Sequence, residues 1–107
     1  MFNVQKFYYN HEIYINYNEY IKEEEDDSVA TLEHMVEDND IKEFRGIIDL
    51  ITVKNLSMEE TEKIKKMHDL LKNRCVMNLN VVSDSRRVLD RIKRMMPDVS
   101  VKLIKID

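Results

Sequence analysis

Residues 76–106 hold the pattern that most restricts how this chain can fold. Over Val76–Val82, Met77, Leu79 and Val81 alternate with Asn78 and Asn80, the period of two expected of a strand with one buried face. Ser83 and Asp84 follow with side-chain oxygens able to cap a helix, and Val88, Leu89, Ile92, Met95 and Met96 then recur on one helical stripe. Pro97 stops the helical hydrogen-bond ladder, Asp98 favours a turn, and Val99, Val101 and Leu103 alternate again. The pattern predicts a β-α-β unit, whose default geometry is a right-handed crossover between parallel strands.

The outer face of the helix over 84–96 carries Arg86, Arg87, Arg91, Lys93 and Arg94, with Asp90 the one acid among them. A charge-rich surface helix is ordinarily a solvated face. The same stripe is what a phosphate-bearing ligand would meet, so these residues form the candidate nucleic-acid-binding set.

Residues 2–9 and 12–21 are rich in β-branched and aromatic side chains and flank Asn10-His11, which predicts a β-hairpin with Asn10 supplying the left-handed backbone of a tight turn. In its second strand Ile13, Ile15, Tyr17 and Ile21 share one face, and Tyr14, Asn16, Asn18 and Tyr20 share the other. All five tyrosines lie between positions 8 and 20, where they either line an aromatic sheet surface or cover the edge of the core.

Lys22 then precedes Glu23, Glu24, Glu25, Asp26 and Asp27, an unbroken acidic run without an apolar anchor. It is the candidate partner-binding surface. Val29, Leu32, Met35 and Val36 predict a short helix capped by Asp27 or Ser28 and broken at Asn39-Asp40. Ile41, Phe44, Ile47, Ile48 and Ile51 share a helical face over 40–52, at a cost of about 1 kcal/mol for Gly46, and favour a second helix there. A buried strand over Gly46–Val53 is the alternative, since short apolar runs suit both. Ser57-Met58-Glu59-Glu60 is a capping-box signature that opens a helix running to about Asn73 and burying Ile64, Met67 and Leu71.

The expected fold class is therefore α+β: an N-terminal hairpin, two or three central helices and a C-terminal β-α-β, with one small mixed four-stranded sheet covered by helices. A single domain over 1–107 is expected from the length.

Chemistry is constrained by composition. One glycine cannot build a phosphate-cradling loop or dinucleotide turn, so no nucleotide cofactor is expected. His11, His34 and His68 are dispersed, and Cys75 is the sole thiol, short of the four ligands of a zinc site. Helical spacing puts His68 and Cys75 on one side of the third helix, where a nucleophile pair competes with a plainer reading as a core histidine and a core thiol. The carboxylates offer no pair in an apolar pocket, so neither catalytic residues nor a metal site is expected. One cysteine fits a reducing compartment, and no apolar run or leader-like segment points to a membrane, so a cytoplasmic setting is expected.

Charge is segregated. Residues 1–60 hold 5 basic and 15 acidic side chains, a net −10, whereas residues 61–107 hold 12 and 6, a net +6. Opposed fields of this kind steer partners, or attract a second copy of the chain. The expected function is a non-catalytic protein-binding module that meets a basic partner through its acidic surface. The abundance of Ile, Asn, Lys, Tyr and Met, typical of AT-rich coding, suits a small viral or phage accessory protein that inhibits a host factor. Nucleic-acid binding by the basic helix is the alternative, and homodimerisation a further one.

Overall fold

A computed structural model describes residues 2–18, 27–37, 43–74 and 77–104. Its elements are β1 (Phe2–Phe7), β2 (Glu12–Tyr17), α1 (Ser28–Met35), β3 (Arg45–Asp49), α2 (Met58–Asn73), β4 (Met77–Ser83), α3 (Arg86–Met95) and β5 (Val101–Leu103). The strands form one sheet in the order β1-β2-β3-β4-β5, with β1 antiparallel to β2 and the other neighbours parallel.

The α+β class, the hairpin and the parallel C-terminal β-α-β are as the sequence predicts, but the sheet has five strands rather than four. The additional strand is β3, in the stretch whose apolar spacing favours a second helix over 40–52. Pairing decides it: Ile13, Tyr14 and Ile15 of β2 lie beside Gly46, Ile47 and Ile48, and Ile48 lies beside Val81 of β4. A central parallel strand is flanked on both sides, so its apolar run imitates a helical stripe. The alternative reading over Gly46–Val53 is the correct one for Arg45–Asp49.

Register sorts the side chains. Phe2, Val4, Ile13, Ile15, Ile48 and Val81 face one way and join Leu32 of α1, Ile64, Met67 and Leu71 of α2, and Val88, Leu89 and Ile92 of α3 in one continuous core. The opposite face carries Tyr14, Ile47, Asp49, Asn80, Val82 and Lys102 around an open depression of about 300 Å³. The helices thus cover one face, and among the described residues no helix packs on the other.

Local signals explain most boundaries. The capping box of α2 is complete: Glu60 N donates to Ser57 Oγ at 3.1 Å while Ser57 N donates to Glu60 Oε1 at 3.0 Å. Helix α3 is capped by Ser85, one residue beyond the predicted pair, with Val88 N donating to its Oγ at 3.3 Å. Ser83 Oγ instead accepts from Ser85 N at 3.0 Å, bracing the turn between β4 and the helix. In the hairpin the residue with left-handed backbone is His11, at φ 50°, rather than Asn10. Asn78 also has φ 50°, at a β-bulge where Arg45 pairs with Met77 but Ile47 pairs with Asn80. Asparagine tolerates that conformation better than most residues, which suits it to the bulge.

Candidate functional site

Three surfaces compete for function, and the sequence pointed to two of them. Of the acidic run, Glu23, Glu24, Glu25 and Asp26 lie outside the described residues. Asp27 is exposed at the N-cap of α1, where its backbone carbonyl accepts from Thr31 N at 2.9 Å and its side chain makes no capping bond. Val29, Leu32, Met35 and Val36 behind it turn inward as predicted.

The basic set is on α3 throughout. Val88, Leu89 and Ile92 anchor the helix on β4 and β5, which turns Arg86, Arg87, Arg91, Lys93 and Arg94 outward. Arg86, Arg87, Arg91 and Arg94 surround an open depression of about 700 Å³ that also includes Asp90, whereas Lys93 does not line it. Two of the five cations are already engaged. Arg91 Nη1 donates to the Leu56 carbonyl at 2.6 Å, and Lys93 Nζ donates to the Val99 carbonyl at 2.8 Å. Arg86, Arg87 and Arg94 make no hydrogen bond or ion pair among the described residues.

The third surface is the hairpin tip, where Tyr9 is 98%, Tyr8 60% and Phe7 41% exposed. It rests on a built support. Phe44, immediately before β3, is buried, with His11 stacked on it at 5.3 Å between ring centroids and Tyr8 edge-on at 6.1 Å. The Lys6 ammonium sits 4.5 Å from the Tyr8 ring centroid and 5.1 Å from that of Phe44. Arg45 N donates to the His11 carbonyl at 2.8 Å, so β3 holds the turn from beneath. Tyrosine clustering was legible in the sequence, but the join to Phe44 depends on the position of β3. Tyr17, by contrast, packs edge-on against Phe2 and covers the core edge.

On the open sheet face Tyr14 donates its hydroxyl to Asp49 Oδ2, and Asp49 Oδ1 accepts from Ile51 N at 2.9 Å. Burial, the hydrogen bond to Asp49, and the negative charges of Asp49 and Glu12 push the Tyr14 phenol up to about 12, so it acts as a fixed hydrogen-bond donor at neutral pH. His68 is buried in α2, with Nδ1 3.5 Å from Asp69 Oδ1. Its proposed companion Cys75 lies outside the described residues. His34 is exposed, 4.0 Å from Glu37. Among the described residues no three His, Cys, Asp or Glu side chains gather as metal ligands, and no helix is long and apolar enough to cross a membrane.

No protein-family model, curated protein or solved structure matches the chain.

Proposed function

We propose that the chain is a non-catalytic protein-binding module whose aromatic hairpin tip is the anchor. The observation that carries this reading is the joint exposure of Phe7, Tyr8 and Tyr9 on a support of Lys6, His11 and Phe44. Aromatic side chains are common energetic centres of protein interfaces, and Tyr8 is already held edge-on against Phe44, which limits the entropy it loses on binding. The acidic run Glu23–Asp27 supplies the complementary long-range field and favours a partner with a basic surface. Inhibition of a host factor by a small viral or phage accessory protein fits this combination of anchor and steering charge.

Nucleic-acid binding is the second reading, supported by Arg86, Arg87 and Arg94 on α3, which are unengaged among the described residues. Its difficulty is the chain's net charge of −4, which repels phosphate unless the acidic half points away.

Capture from host lysate, with and without nuclease, separates the two readings. Nuclease-resistant capture of one defined protein, lost in Phe7→Ser/Tyr9→Ser and kept in Arg86→Ala/Arg87→Ala/Arg94→Ala, supports the binding module. The reverse pattern, with nuclease abolishing capture, overturns it in favour of nucleic acid.

A further inference from the structure

Asp49, Val82 and Lys102 form one cross-strand row on the open sheet face: Asp49 pairs with Val82 in register, and Val82 pairs with Lys102. All three line the same depression. An acid and a base of opposite charge thus flank an almost covered valine, each one strand spacing of about 4.8 Å away. Ile51, in the turn that follows β3, and Ile104, just after β5, line the same depression.

We propose that this face binds a second copy of the chain, sheet against sheet, about a twofold axis that runs parallel to the strands over Val82. That axis exchanges left and right but preserves position along the strands. Asp49 then falls opposite Lys102 of the second copy, Lys102 opposite its Asp49, and Val82 opposite its Val82. Every charged contact is made twice, as an isologous interface requires. The strands of the two sheets run in the same sense, within the small angle that sheet twist allows in aligned packing. A heterologous partner would have to bring its own matching row, whereas the chain already carries its own complement.

The face also limits the affinity. With the axis over β4 only β3, β4 and β5 overlap the second copy, and three strands by about five residues offer about 240 Å² of projected area per copy, roughly a third of what a standard stable interface buries on each side. The dimer is therefore weak, reversible and concentration-dependent, and salt lowers its stability because Lys102 lies at the exposed rim. It does not involve the hairpin tip, so it stands apart from the proposed partner binding.

Sedimentation of the full chain over a concentration series tests the proposal. Wild type should move from monomer to dimer, and Phe7→Ser/Tyr9→Ser should match it. Lys102→Gln should weaken dimerisation roughly fivefold through loss of two rim contacts, and Lys102→Glu further, by setting two acids face to face. Asp49→Lys and Lys102→Glu should each be monomeric alone but dimerise when mixed, because both contacts in the mixed pair are again of opposite sign. Asp49→Lys also removes the acceptor of Tyr14, so its fold is verified by circular dichroism; should it not fold, the graded series at Lys102 alone decides. A wild type that stays monomeric to its solubility limit, or a dimer indifferent to Lys102→Glu, overturns the proposal.

Discussion

The guanidinium of Arg91 donates from Nη1 to the carbonyl oxygen of Leu56 at 2.6 Å, bridging 35 positions of sequence. Leu56 is a core residue of the segment between β3 and α2, so the bond fastens that segment to α3. Loss of the donor removes one part-buried hydrogen bond from that carbonyl, a moderate cost. Arg91→Ala should cost about 1 kcal/mol in urea unfolding, whereas Arg86→Ala and Arg87→Ala should stay within about 0.5 kcal/mol of wild type. Equal effects at all three positions would contradict the tether.

Ser57→Ala removes one half of the capping box and leaves Glu60 N without its side-chain acceptor. The expected destabilisation is about 1 kcal/mol, read as a lower denaturant midpoint at unchanged slope. Ser57→Asp keeps an acceptor and adds charge at the positive end of α2, so it should preserve wild-type stability.

Gly46 is buried on the helix-facing side of β3, beside Ile13 and next to Ile48. A larger side chain there enters a filled core. Gly46→Val should destabilise by about 1–3 kcal/mol despite the higher strand propensity of valine, and Gly46→Ala by less. A stabilised Gly46→Val would show that space remains beneath α2.

Tyr14 gives stability an alkaline limit. Its folded-state value is raised from 10.0 to about 12, so the folded chain retains a proton that the unfolded chain gives up in that window. The stabilisation is complete below about pH 10 and is lost as the pH rises towards 12. Tyr14→Phe should flatten thermal stability between those limits, and the wild-type phenolate absorbance should include one late-titrating tyrosine.

Legibility followed the range of the interaction. The capping box at Ser57 and the inward stripe Val88, Leu89, Ile92 were readable because each is decided within a few residues. Residues 45–49 were not, because Phe44, Ile47 and Ile48 satisfy a helical period as well as a buried strand, and only pairing with β2 and β4 separates the two. The left-handed turn residue is His11 rather than Asn10, and the cap of α3 is Ser85 rather than Ser83 or Asp84, since neighbouring residues compete for the same role. At the candidate site, tyrosine clustering was visible, while the Phe44 support, the Arg91 tether and the row Asp49–Val82–Lys102 all depend on contacts between distant segments.

In this sheet the spatial order of the strands repeats their order in the chain. During synthesis, each emerging strand finds its earlier neighbour already made and never has to enter between two that are paired. The molecule can grow by accretion, from the hairpin through successive helix-and-strand additions to the three residues of β5. Each step closes only the loop just synthesised, a small entropic cost beside that of folds whose first and last strands must meet.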